Sequence, residues 1–125
     1  MRVTLLRRLD PWAPPLILMA IIFLLSAQPS LNSGLGLADT IGRKLVHFGE
    51  YALLTYLWWR ALRTRMEPGR AALAAFLVSS LYAATDEYHQ TFVEGRSGHP
   101  LDWLVDSAGA ATAALRLGRQ RRTVA

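Results

Sequence analysis

Residues 45–62, LVHFGEYALLTYLWWRAL, decide how this chain is organised. The segment is mostly apolar, and its length approaches the roughly 20 residues that a helix needs to cross a bilayer. Trp58 and Trp59 lie near its end, and tryptophan favours the interface between a membrane and water. His47 and Glu50 lie near its start and interrupt the apolar pattern. The segment therefore predicts a membrane-spanning helix with polar groups at one end.

Comparable apolar segments occur at three other places in the chain. Together the four predict helices at about residues 12–27, 45–62, 71–90 and 101–117. Pro14 and Pro100 suit the first turns of two of these helices, because a first-turn residue needs no N–H donor. The predicted fold class is all-α: a polytopic membrane protein with a bundle of four transmembrane helices, in a single domain over residues 1–125.

The first segment also has the opening of a signal peptide, since Arg7 and Arg8 precede an apolar run. Residues 25–29, LSAQP, lack the small-x-small pattern at which such peptides are cleaved. We therefore interpret the segment as a helix of the folded protein.

Charged residues are distributed unevenly between the hydrophilic segments. Of the 14 Lys and Arg residues, all but Arg43, Lys44 and Arg96 lie in or beside the two ends of the chain or the turn after the second helix. Most of the carboxylates lie in or beside the other two segments. Because segments rich in Lys and Arg stay in the cytoplasm, this bias predicts an N-in/C-in orientation.

Composition excludes several classes of function. The chain has no cysteine, so it forms no disulfide and no thiolate–metal site. Its formal charge of +5 would suit a nucleic-acid-binding protein, but the arginines flank apolar segments instead of forming one stripe. We therefore expect a lipid bilayer, and no nucleic acid, as its partner. Glycine-rich nucleotide loops and the HExxH zinc motif are absent from the sequence.

The polar residues of the last three helices gather at their predicted outer ends. The candidate site residues are Lys44, His47, Tyr51, Asp86, Glu87, Gln90, Arg96, Asp102 and Asp106. Lys44, His47 and Tyr51 share one helix face, since they are spaced by three and four residues. A bundle in lipid satisfies such groups only by turning them toward one another or toward a water-filled mouth.

The carboxylates of this group carry different expectations. Asp106 lies about one turn inside the predicted span, where an ionised carboxylate costs several kcal/mol unless it is paired. We therefore expect it in a site or a buried network. Asp86 and Glu87 oppose the dipole at the end of their helix, so a compensating cation is expected there, and Arg96 is the candidate. Asp102 is favoured at the start of its helix, and a capping role is an alternative to a functional one.

The combined spacing resembles that of the VanZ-like family of small bacterial membrane proteins. It consists of Lys44-x-x-His47-Phe48-x-x-Tyr51, Asp86-Glu87-x-x-Gln90-x-Phe92, Gly95-Arg96 and Asp102-x-x-x-Asp106-x-x-Gly109. The family takes its name from a protein associated with resistance to the glycopeptide antibiotic teicoplanin. The resemblance implies a multi-pass protein of the bacterial cytoplasmic membrane with a role in the cell envelope, and it supplies no reaction. Asp106 stands where many members have Asn.

Three functions fit these residues, and the sequence leaves open whether the protein is an enzyme. In the first, it binds or processes an anionic envelope lipid or a lipid-linked precursor. There His47, Asp86, Glu87 and Asp106 would be acid, base or ligands of a divalent cation, and Lys44, Tyr51, Gln90, Arg96 and Asp102 would bind substrate. In the second, it is a non-catalytic envelope protein whose polar residues lock the bundle or recruit a partner or antibiotic. In the third, it is a proton-coupled transporter.

Overall fold

A computed structural model describes residues 8–26, 37–90 and 100–124. These residues contain four long helices, α1 (Ala13–Ser26), α2 (Leu37–Leu62), α3 (Pro68–Gln90) and α4 (Pro100–Val124). The helices run up and down in turn, because the end of α1 meets the end of α3 through a stack of Phe23 on His89. Trp12, just before α1, meets Trp58 near the end of α2. The predicted all-α fold with four helices is confirmed.

Three helices extend beyond the apolar segments that predicted them, and α3 does so least, since it begins at Pro68 and not at residue 71. α2 begins at Leu37 and not at residue 45, and α4 continues to Val124 and not only to residue 117. Residues 37–44 and 118–124 are interrupted by charged side chains, and none of them is proline. Hydropathy therefore predicted where the apolar part of each helix lies, whereas backbone hydrogen bonding also includes neighbouring polar residues that favour a helix.

The turn between α2 and α3 makes these two helices antiparallel neighbours. The Glu67 carboxylate accepts hydrogen bonds from the backbone N–H groups of Gly69 at 3.1 Å and Arg70 at 3.3 Å. It thereby caps the first turn of α3, whose N–H groups have no partner within the helix. Pro68 opens that turn, and its carbonyl accepts a hydrogen bond from the Trp59 indole at 3.1 Å.

A close approach between backbones joins α2 to α4. A Cβ atom added at Gly109 would overlap the carbonyl oxygen of Phe48 and lie 3.0 Å from its carbonyl carbon. Only glycine therefore allows the two backbones to meet at this point. α2, α3 and α4 pack extensively on one another, and α1 lies against α2 and α3 with fewer contacts.

The interior of the bundle is unusually polar and its outer surface is unusually apolar. Thr55, Ser79, Asp86 and Asp106 are buried beside Tyr51 and Leu54. Large exposed apolar side chains occur on all four helices: Leu16, Ile17, Phe23, Leu45, Val46, Leu53, Leu73, Leu81, Leu104 and Leu115. Buried carboxylates such as these are rare in water-soluble domains.

Across the described residues, no helix is both long enough and sufficiently apolar to cross a membrane. Placement in a membrane stays a prediction of the sequence.

Candidate functional site

Three pairs of polar side chains meet between helices at the end of the bundle that contains the start of α2. Lys44 pairs with Asp102, His47 with Asp106 and Tyr51 with Asp86. We call these six residues the polar cluster. Its members come from one face of α2, the last turns of α3 and the first turns of α4. The opposite end of the bundle carries Arg60, Arg63, Arg65, Arg70, Arg116 and Arg119, and we call it the arginine end.

Lys44 and Asp102 form the most exposed pair. The Lys44 ammonium donates to Oδ1 of Asp102 at 2.8 Å, and the two side chains are 34% and 35% exposed. An ion pair with this exposure contributes about 0–1 kcal/mol to stability. Asp102 also lies in the first turn of α4, where the helix dipole favours a negative charge. An ammonium group has more donors than this one bond uses, so Lys44 can also contact a ligand.

His47 and Asp106 form a more buried pair. Nδ1 of His47 lies 3.1 Å from Oδ1 of Asp106, and Asp106 is fully buried. An ionised carboxylate only accepts hydrogen bonds, so the Asp106 carboxylate requires the proton of a neutral His47 ring to lie on Nδ1. The lone pair of the ring is then on Nε2. The second oxygen of Asp106, Oδ2, is buried and has no hydrogen-bond partner. A buried oxygen without a partner destabilises the folded state by about 1–3 kcal/mol.

Tyr51 and Asp86 lie deeper in the bundle. The Tyr51 hydroxyl donates a long hydrogen bond of 3.3 Å to Oδ2 of Asp86, and both residues are buried. Tyr82 lies beside Tyr51, with ring centres 6.4 Å apart. Its hydroxyl donates to the Met19 carbonyl at 2.5 Å and so connects this layer to α1.

His47, Asp86 and Asp106 have the geometry of a cation site. One ligand atom from each lies within 4.8 Å of the others. Two oxygens bound to one Ca²⁺, each at about 2.3–2.6 Å, can lie that far apart. When the imidazole is neutral, only the two carboxylates of these three side chains are charged. A divalent cation would neutralise both of them. The three residues, which we call the triad, can hold such an ion and can also pass a proton through His47.

The comparison with protein families adds an independent observation. A family model described as VanZ/LLP1 matches residues 12–117. The chain belongs to the VanZ/LLP1 family. The resemblance that the sequence pattern indicates is therefore confirmed, and the match covers all six residues of the polar cluster. Comparisons with curated proteins and with solved structures found no match.

Six of the nine predicted site residues of this VanZ/LLP1 protein meet in the polar cluster, and the other three are Glu87, Gln90 and Arg96. Glu87 is buried on α3 beside Asp86 in sequence. Gln90 is the last residue of α3, and its side chain lies outside the part that the structure describes. Arg96 lies outside the described residues. The roles assigned to all nine residues as catalytic or substrate-binding groups stay predictions.

Sequence reasoning missed a contact next to the polar cluster. The hydroxyl groups of Ser80 and Ser107 lie 2.9 Å apart, and the Trp103 indole donates to the Ser80 carbonyl at 3.0 Å. These bonds join α3 to α4. Ser107 follows Asp106 directly in the sequence. Their only signal in the sequence was the presence of two serines on predicted helices, and serines are common in such helices for packing alone.

Proposed function

We propose that this VanZ/LLP1 protein lies in the bacterial cytoplasmic membrane, with its four helices crossing the bilayer and both termini in the cytoplasm. The apolar outer surface supports this placement, because lipid would cover side chains such as Leu45, Leu81 and Leu115. The buried carboxylates support it too, since groups of that kind face the interior of a membrane bundle. The arginine end would face the cytoplasm and the polar cluster the outside.

Within that placement, the triad binds a divalent cation. The observation that carries this proposal is the fully buried Oδ2 atom of Asp106, which has no hydrogen-bond partner beside a second buried carboxylate and an imidazole. An ionised carboxylate in such a position is destabilised unless it binds a cation or is protonated. Carboxylate oxygens and one imidazole suit Mn²⁺ as well as the harder Ca²⁺ and Mg²⁺.

The cation in turn binds phosphate of an anionic envelope lipid or a lipid-linked precursor. Bare phosphate would meet Asp86, Asp102 and Asp106 at this end of the bundle and would be repelled by their charge. A bound divalent cation neutralises the two carboxylates of the triad and leaves coordination positions for phosphate oxygens. Lys44, partly exposed at the edge of the cluster, supplies a second positive contact. An envelope role of this kind is consistent with the family's association with glycopeptide resistance.

A second candidate function is a non-catalytic envelope protein in which the polar cluster only locks the bundle. The three pairs favour it, because two of them tie α2 to α4 and the third ties α2 to α3. In this case the pairs stabilise the fold without any cation, and recognition of a partner or antibiotic takes place elsewhere on the surface.

Cation binding by the purified protein distinguishes the two functions. Titration of the detergent-solubilised chain with Mn²⁺, followed by calorimetry and electron paramagnetic resonance, should show one bound ion per chain. Asp106→Asn should weaken this binding by at least tenfold, because it removes a charged ligand. Asp10→Asn is the matched control, since Asp10 is an exposed carboxylate paired with Arg60 at the arginine end. No binding by the wild type, or equal binding by both variants, would leave the structural lock as the function.

The same variants extend the test to cells. A deletion strain should accumulate an anionic lipid or lipid-linked precursor in its membrane extract, as measured by mass spectrometry, and should change its susceptibility to teicoplanin. The wild type and Asp10→Asn should restore both properties, and Asp106→Asn should not. Cation binding in vitro with an unchanged lipid profile would retain the metal site and contradict the lipid as its ligand.

A further inference from the structure

A groove of about 740 Å³ lies between α3 and α4 at the arginine end, away from the polar cluster. Arg70 and Arg119 lie at its charged edge, and Leu73 and Phe76 form part of its apolar wall. Ala114 is one of several small residues on the α4 side that give the groove its depth. The groove therefore combines a basic edge with an apolar body.

We propose that this groove binds one anionic phospholipid from the inner leaflet of the membrane. Its headgroup phosphate contacts Arg70 and Arg119, and an acyl chain lies along Leu73 and Phe76. The inference rests on the membrane placement proposed above and is independent of the cation site. Basic pockets between helices on the cytoplasmic side of a membrane bind the headgroups of anionic lipids.

The charges along the groove favour an anionic occupant. Its lining contains two arginines and one carboxylate, Glu67, so its formal charge is positive. The Glu67 carboxylate accepts hydrogen bonds from the backbone N–H groups of Gly69 and Arg70, so its charge is directed at the start of α3. An arginine fork binds phosphate with more than one donor, whereas a zwitterionic headgroup would bring a positive charge to the same edge.

The same charges disfavour a second copy of this chain as the occupant. A neighbouring bundle in the same orientation would bring its own arginine end to the groove, including Arg63 and Arg116. Like charges that face each other across an interface oppose association. A phosphate-bearing lipid instead neutralises the edge.

Lipid titration of the detergent-solubilised full chain tests this proposal. Native mass spectrometry and thermal melting should show tighter binding of phosphatidylglycerol than of phosphatidylcholine with the same acyl chains. Arg70→Gln should weaken phosphatidylglycerol binding about fivefold, since each basic residue near an anionic surface contributes about that factor. Arg65→Gln is the matched control, because Arg65 is an exposed arginine of the same turn outside the groove.

A second pair of variants tests the apolar body without changing charge. Ala114→Leu places a larger side chain in the groove and should abolish the preference for phosphatidylglycerol. Ala108→Leu adds the same group at an exposed position of α4 outside the groove and should leave the preference unchanged. Light scattering is measured on the same samples, and a dimer that Ala114→Leu dissociates would assign the groove to a second copy and overturn the proposal.

The remaining outcomes separate this proposal from the one on which it rests. Equal binding of the two lipids by the wild type, or equal losses in Arg70→Gln and Arg65→Gln, would overturn the lipid groove and leave the membrane placement and the triad intact. Recovery of the wild-type chain from lysed cells in the soluble fraction without detergent would overturn the membrane placement and the groove together.

Discussion

Asp10 and Asp106 are both carboxylates within reach of a basic side chain, but they differ in burial. Asp10 accepts a hydrogen bond from Arg60 at 2.8 Å, and its side chain is 61% exposed. Asp106 lies 3.1 Å from His47 and is fully buried, with one oxygen lacking a partner. Water can solvate the first residue if its ion pair breaks, but it does not reach the second. The two residues should therefore respond differently to the same substitution.

In the absence of divalent cations, Asp106→Asn should raise the free energy of unfolding by about 1–3 kcal/mol, because it removes a buried charge and a neutral His47 leaves no other charge uncompensated. Asp10→Asn should change it by less than about 1 kcal/mol. Denaturant unfolding in detergent with EDTA measures both, and adding Mn²⁺ should stabilise the wild type more than Asp106→Asn. A large loss of stability in Asp106→Asn without cations would show that the His47 pair locks the fold, and would favour the second candidate function.

At the scale of the helices, the meeting of α2 and α4 sets the geometry of the polar cluster. Gly109 lies against the backbone of Phe48, which is the neighbour of His47 in sequence. Asp106 is three residues before Gly109 on the same helix. The contact between the two backbones therefore controls how closely His47 and Asp106 approach each other.

Gly109→Ala should force α2 and α4 apart, because the new methyl group would overlap a carbonyl oxygen. We expect a loss of stability of about 1–3 kcal/mol and a large loss of Mn²⁺ binding. Gly49→Ala is the control, since a Cβ at Gly49 meets no atom within 4 Å. That variant should be neutral or more stable by up to about 1 kcal/mol, because alanine favours the helix. Equal behaviour of the two variants would mean that the close contact does not position the site.

At the scale of the whole molecule, charge and polarity are arranged along one axis. The polar cluster lies at one end, the arginines at the other, and apolar side chains cover much of the surface between them. Such an arrangement has a defined direction in a membrane, because basic segments are retained on the cytoplasmic side.

Cysteine labelling tests this orientation, and the chain has no native cysteine to interfere. A single cysteine at Ser97 should react with an impermeant thiol reagent on intact cells. One at Thr123 should react only after the cells are permeabilised. The opposite pattern would reverse the orientation and place the polar cluster in the cytoplasm, where an outer-leaflet or extracellular ligand could not reach it.

The sequence alone determined the helical class, the order of the four apolar segments and the identity of most candidate site residues. The length of an apolar segment and the positions of arginines are local properties, so they can be read from the sequence without knowledge of the packing. The isolated position of Asp106 in an apolar helix likewise indicated a buried network before any contact was known. The polar ends of α2 and α4 were missed as helix, because hydropathy does not report backbone hydrogen bonding.

Only the tertiary structure decided which side chains pair. The sequence placed Lys44 and His47 on one face of a helix without indicating their partners, and the structure pairs them with Asp102 and Asp106 on α4. The reason is that contacts between helices depend on their rotation and offset along the bundle axis. Here the contact of Gly109 with Phe48 sets the separation of α2 and α4 at that level, and local spacing in the sequence does not encode it.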